Sequence, residues 1–289
     1  MTTLSPAQVE AFRRDGTIAV EDAVTPQQLA ALRREFDAWW EESRAHERNY
    51  GEMIDGRPRF DLQIPGHSRA HPLLRRVNSP TEISEAYLDV VANSRIPDMV
   101  ADLVGPNVKF HHSKINAKLP GANTEVKWHQ DFPFTPHTND DLVTALLAMD
   151  DVDENNGPLI SALGSHKDGI AEIWHDGKFT GIAGDEAVRA WERTAKTFTM
   201  KAGSVCLMHT KVGHSSAANR GSRPRRLFIA VYSAEDAIPL SLNPLPSKHE
   251  GLIVRGEKTG RVRSIPFEMK LPQRPSTGSF FNQQVGYDG

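Results

Sequence analysis

An imidazole and a carboxylate stand two positions apart in Lys127-Trp128-His129-Gln130-Asp131-Phe132, and such a pair can close on one metal ion if the backbone turns both to the same side. In an extended strand, residues i and i+2 do face the same way. Val126 and the aromatic residues Trp128, Phe132 and Phe134 favour a strand that runs into a loop here. His129 and Asp131 are therefore expected to converge, and a third ligand must come from elsewhere in the chain. Of the 12 His, His214 in Lys211-Val212-Gly213-His214-Ser215-Ser216 is the best candidate. Two His and one carboxylate on one face of an octahedral ion, with the other positions open, is the arrangement of non-haem Fe(II) oxygenases. His209 lies five residues before His214, so odd parity in an unbroken strand turns it to the opposite face. His166 reads as a capping or rim residue.

Beyond His214 comes the turn cluster Asn219-Arg220-Gly221-Ser222, then the strand-like run Leu227-Phe228-Ile229-Ala230-Val231-Tyr232. A hairpin centred near Asn219 and Arg220 would set His214 and Arg225 almost opposite each other. The planar guanidinium of Arg225 could then hold the far end of a dicarboxylic co-substrate that chelates the metal at its other end. The plainer reading is a solvated basic loop with Arg220, Arg223 and Arg226 as equal members.

His129-Gln130-Asp131, Asp150-Asp151-Val152-Asp153-Glu154-Asn155-Asn156-Gly157-Pro158-Leu159, Gly164-Ser165-His166-Lys167, His214-Ser215-Ser216 and Arg225 follow one another in the order that resembles the phytanoyl-CoA dioxygenase family, from about Arg75 to Tyr232. The resemblance implies an α+β, mainly β fold: a double-stranded β-helix (jelly roll, cupin-like) core flanked by N-terminal helices. It implies Fe(II) on His129, Asp131 and His214, O2 as oxidant, and 2-oxoglutarate held by Arg225 with Ser216 nearby. Lys114 and Arg76 fall where other members line the co-substrate pocket, and Gln130, between two ligands, is grouped with them. Leu146 stands where relatives often carry Trp. The implied reaction couples oxidative decarboxylation of 2-oxoglutarate to hydrogen removal from an unactivated C–H bond of a small-molecule metabolite, ending in hydroxylation. Desaturation, cyclisation and epimerisation share that beginning, whereas the carboxylate of Asp131 occupies the place a halide would need. Lys127, Trp128, Phe132, Phe134 and His137 border the metal motif and are candidates for substrate contact. Two other readings are a cupin-like metal-dependent isomerase or hydrolase without 2-oxoglutarate, and a non-catalytic β-helix binding domain.

A length of 289 residues suits a single domain: a mainly helical flank over 1–106, a β-helix core over 107–236 interrupted by an insertion at 169–195, and a C-terminal extension over 237–289. Ser5-Pro6 and Thr25-Pro26 begin helices, and Leu29, Leu32, Phe36, Trp39 and Trp40 follow the second at helical spacing. Further helices are expected within 81–93 and 97–103. Residues 49–72 are broken by Gly and Pro and read as a long loop, either a lid that brings Arg59 to the substrate or a plain surface connection. The strand from Val108 to Leu119 is unusually polar, with His112, Lys114, Asn116 and Lys118 on one face. That face either lines a cofactor-holding interior or is the solvated side of an edge strand. A net charge of −3 carries no nucleic-acid footprint. The single cysteine, Cys206, sits in an apolar run and reads as a buried, inert thiol suited to a reducing cytosol. No leader or membrane span is apparent, so a soluble cytoplasmic protein with no membrane partner is expected. The last residues, with Phe280 and Phe281, suggest docking onto the domain or onto a second copy as a homo-oligomer.

Overall fold

Two capping boxes open the first helices: Ser5 accepts from the Gln8 backbone and Thr25 from that of Gln28, while each glutamine side chain accepts from the cap's own N–H. The computed structural model describes residues 2–120, 122 and 124–273. In chain order its elements are α1 (Pro6–Asp15), β1 (Thr17–Val20), α2 (Pro26–Glu42), β2 (Tyr50–Glu52), β3 (Pro58–Leu62), β4 (Leu74–Asn78), α3 (Glu85–Asn93), α4 (Ile96–Val104), β5 (Val108–Lys118), β6 (Val126–His129), β7 (Leu142–Ala148), β8 (Leu159–Ala162), β9 (Trp174–His175), β10 (Lys178–Phe179), α5 (Asp185–Glu192), β11 (Ala195–Phe198), β12 (Val205–His209), β13 (His214–Ser216), β14 (Arg225–Ala234) and β15 (Ile253–Arg255).

The strands form an antiparallel jelly roll. The larger sheet runs β1-β12-β7-β14-β5-β4-β3-β2, with β15 also on β5, and the smaller runs β11-β8-β13-β6. Alternation along β14 shows what each face does. Phe228, Ala230 and Tyr232 pack with Phe36, Tyr87 and Val91 of the helices, whereas Leu227 and Ile229 turn between the sheets to meet Leu159 and Phe198. Burying the first set against α2–α4 closes one face of the large sheet, so the functional groups are confined to the other.

The first 106 residues are not only a helical flank. β1 extends one edge of the large sheet and β2–β4 the other, so the expected boundary cuts through the sheet itself. Residues 49–72 are correspondingly not one long loop, because β2 and β3 pair within them. Arg59 is locked into this framework: its guanidinium donates to the carbonyls of Glu52, Asn78 and Ser79 and to Glu82 Oε2, which excludes the substrate role expected of it. The C-terminal extension contributes β15, ties Arg263 to Asp141 and Asp236, and sets Phe267 5.4 Å from Phe132. The expectation for Phe280 and Phe281 falls outside the described residues. Among the described residues no helix is long and apolar enough to cross a membrane.

Candidate active site

His129 ends β6 and His214 begins β13, and the two are direct partners across the small sheet, with ring centroids 4.1 Å apart. Asp131 arrives by a different route from the strand parity expected of it. Its backbone is helical (φ −76°, ψ −34°), at the start of a 3-10 turn over Phe132–Phe134 that is anchored by the Phe132 N–H donating to the Thr210 carbonyl. The turn, rather than an extended chain, brings Asp131 Oδ1 to 3.8 Å from Nε2 of both histidines. Ligand atoms of all three lie within 4.8 Å of one another, a grouping that could hold one metal ion.

Each ring is oriented from behind. Nδ1–H of His129 donates to the Lys127 carbonyl at 2.8 Å, and Nδ1–H of His214 to the Val212 carbonyl at 3.0 Å, which leaves Nε2 as the lone-pair nitrogen turned toward Asp131. Burial pushes both imidazoles down, His129 to about 3, so both are neutral and able to donate their lone pairs at neutral pH. Burial works to raise Asp131, but His214, Lys114, His129 and the Thr144 hydroxyl, donating to Oδ2 at 2.7 Å, outweigh it and hold the carboxyl at about 2. The donor set is therefore two neutral imidazoles and an ionised carboxylate, which fits Fe(II).

The cavity between the sheets is narrow, about 50 Å³, and runs from this triad past Lys114, Asn116, Thr144, Leu146 and Ile229 to Lys118, Ser216 and Arg225. The polar strand β5 thus lines an interior rather than a solvated edge. Arg225 does not reach the cavity through a hairpin with His214. β13 pairs with β6 and β8 in the small sheet, β14 with β5 and β7 in the large one, so the two residues face one space from opposite walls. Arg225 and Lys118 are register partners, both buried. Such like charges directly opposed are destabilising unless an anion joins them. Arg225 Nε and Nη2 donate to the Gly157 carbonyl at 3.0 and 2.6 Å, and burial pushes the guanidinium down to about 9. Lys118 Nζ donates to the Ser216 hydroxyl at 2.8 Å and to the carbonyls of Ser216 and Ala217, three acceptors that match the three N–H bonds of an ammonium group. Burial and Arg225 both push that ammonium down, and an entering carboxylate would offset them.

The remaining expected residues divide. Phe134 stands beside the triad, 6.0 Å from the His129 ring, and continues through Phe179 (5.2 Å) to Trp174 of the insertion, which therefore overlies the 3-10 turn. Lys127 precedes the ligand and supplies its carbonyl. Trp128 packs on Trp191 of the insertion. Phe132 is fully buried against Leu142, Ala234 and Ala237 and is core rather than substrate contact. Gln130 spends its amide on backbone, donating to the Gly169 and Lys211 carbonyls and accepting from the Ala171 N–H, so it fastens the insertion and does not line the cavity. Arg76 is also absent from the cavity lining, and His137 lies buried beside His111. His209 packs against Phe12 and His166, away from the triad, but not by strand parity: it ends β12 of the large sheet, whereas His214 begins β13 of the small one, so no unbroken strand joins them. Sequence reasoning did not single out Lys118 or Thr144. The parity that groups Lys118 with Lys114 was the available signal for the first, and none existed for the second.

A family model described as Phytanoyl-CoA dioxygenase (PhyH) matches residues 12–227. A probable alpha-ketoglutarate-dependent hypophosphite dioxygenase of Stutzerimonas stutzeri is 34% identical over 206 residues, covering 69% of this chain and 71% of that protein. An ectoine dioxygenase of Streptomyces coelicolor is 27% identical over 253 residues, 81% of this chain and 79% of that one. The solved structure of EctD from S. alaskensis with 2-oxoglutarate and 5-hydroxyectoine shares the fold at a TM-score of 0.65 and 23% identity, covering 92% of this chain and 89% of that one. Matched over most of its length, with the triad and the buried basic pair lining one cavity, the chain belongs to the phytanoyl-CoA dioxygenase family.

Proposed function

We propose that His129, Asp131 and His214 hold Fe(II), and that Lys118, Ser216 and Arg225 seat the far carboxylate of 2-oxoglutarate, whose keto-acid end faces Lys114 and the metal. The chain is an Fe(II)- and 2-oxoglutarate-dependent dioxygenase acting on a small molecule, with hydroxylation of a C–H bond as the outcome. The observation that carries the co-substrate assignment is the buried pair Arg225 and Lys118, two basic side chains set side by side in the wall of the same cavity as the triad. Bound iron supplies the activation of O2. The protein's own residues do the rest: Thr144 fixes the Asp131 carboxylate, the two backbone carbonyls fix the imidazoles, and Leu146, Leu227 and Ile229 keep the cavity wall apolar. The similar proteins named above act on small polar molecules, hypophosphite and ectoine, which supports a metabolite of that size here.

Succinate release from 2-oxoglutarate should require Fe(II) and O2 and be stimulated by members of a pool of small polar compounds. Arg225→Gln should raise KM for 2-oxoglutarate about 10- to 100-fold with little change in kcat, the loss expected for a hydrogen bond to a charged group. An unchanged KM, or succinate release indifferent to chelation of iron, would overturn the assignment.

A further inference from the structure

His129 is carried by an edge strand. In the order β11-β8-β13-β6, β6 has only β13 beside it among the described strands, and it is four residues long. So short an edge has little of its own to hold a ligand in place, whereas a metal centre needs its ligands set to within about 0.5 Å. The insertion meets β6 on its other side. The Ala183 N–H donates to the Trp128 carbonyl at 2.9 Å, and Gln130, next after His129, ties Gly169 and Ala171 of the insertion to Lys211 in the loop before His214.

Trp191 of α5 stands at the centre of this attachment. Side chains alternate along a strand, so the residues next to the two histidines turn to the outer face of the small sheet, away from the cavity. Trp128 and Gly213 each stand one position before a ligand, and the Trp191 indole, 4% exposed, lies against both. Its ring centroid is 6.0 Å from that of Trp128, and a Cβ on Gly213 would fall 2.2 Å from its Cδ2. Gly213 is not among the glycines with positive φ, so the indole, not the backbone, excludes a side chain there. Both backbone groups of Gly213 are also engaged: its N–H donates to Ser165 Oγ at 2.9 Å, and its carbonyl accepts from the Ala162 N–H at 2.9 Å. The backbone entering His214 is thus held by its sheet neighbours and pressed flat by the ring.

A ring that only filled space could stand anywhere on this outer face. This one touches the residue before each histidine, and those histidines are register partners with ring centroids 4.1 Å apart. We propose, resting on the reading of the triad as an iron site, that Trp191 is a positioning residue for that site: from the insertion it holds the backs of β6 and β13 at one spacing and so sets the bite of His129 and His214 on the metal. The insertion is then part of the metal centre and not decoration on the barrel.

The test uses full-length protein freed of metal, and measures Fe(II) affinity without oxygen together with the visible ligand-field bands of Co(II) bound in its place. Trp191→Leu should weaken Fe(II) about 10-fold and shift the Co(II) bands, and Trp191→Phe should recover part of both. Val91→Ala, a truncation in the helical layer behind the large sheet, should lower the melting temperature while Fe(II) affinity holds within about 2-fold and the Co(II) bands stay in place. Gly213→Ala should also weaken Fe(II), and adding Trp191→Leu to it should cost less than Trp191→Leu costs alone, because the smaller side chain makes room for the methyl group. Unchanged affinity and bands in Trp191→Leu, or the same change in Val91→Ala, overturns the inference. So does strict additivity of Gly213→Ala and Trp191→Leu. If Trp191→Leu does not fold, Trp191→Phe takes its place in each comparison, with a smaller change of the same sign. Failure of the iron reading is separately visible as parent protein that takes up neither Fe(II) nor Co(II).

Discussion

Thr144 donates its hydroxyl to Asp131 Oδ2 at 2.7 Å from the neighbouring strand β7, so one oxygen of the carboxylate is held while Oδ1 faces the histidines. Val is nearly the same shape but cannot donate, so Thr144→Val should leave the fold in place and free the carboxylate to rotate. Loss of such a supporting bond weakens a metal site by about 10- to 100-fold. Titration of metal-free protein with Fe(II) under anaerobic conditions should show that weakening, with a melting temperature of the metal-free form close to that of the parent. Unchanged iron affinity would mean that Asp131 is oriented by the 3-10 turn alone. Thr144 also marks the limit of what single residues disclose. His129 and Asp131 are legible because a metal motif at i and i+2 is a local signal. The supporting hydroxyl stands 13 positions away in a run of apolar residues, and nothing about it is unusual until the strands are assembled.

The turn between β7 and β8 shows the same limit one level up. As an acidic run ending in Gly157, it reads as a structural turn at the rim, and the reason for its glycine lies in another sheet. Gly157 has φ +82°, and a Cβ there would come within 2.6 Å of the Ala217 carbonyl oxygen and 2.7 Å of Lys118 Cδ, while its own carbonyl accepts both bonds from Arg225. Gly157→Ala should therefore cost about 1–3 kcal/mol of stability through the left-handed backbone and the overlap. It should also raise KM for 2-oxoglutarate, because Arg225 and Lys118 shift together; urea unfolding and a co-substrate titration would read the two effects. A stability loss with KM unchanged would separate the turn from the carboxylate site. The hairpin expected between His214 and Arg225 fails for a related reason. Turn formers at 219–222 mark a reversal but carry no information about which sheet the next strand joins, and here β14 crosses to the large sheet. The two residues still meet, since a jelly roll brings facing strands of both sheets onto one interior.

Over the whole molecule, the buried imidazoles couple stability to pH. Burial pushes His137 down to about 4 and His209 to about 3, and holds His111 and His112 well below the usual range, with Lys109, Lys114 and Arg76 acting in the same direction. In the unfolded chain each takes up a proton near pH 6.5. Below that pH the unfolded imidazoles bind more protons than the folded ones, so the stability they contribute is complete above about 6.5 and is lost as the pH falls toward 4. For His137 alone, the step from pH 7.5 to pH 5 removes about 2 kcal/mol, and the other three add to it. Urea unfolding of the metal-free protein at pH 7.5, 6.5 and 5 should show steadily falling stability, and His137→Phe should make the fall shallower by about one proton's share. A stability that is flat or rising over this range would mean that the four imidazoles are charged in the folded protein.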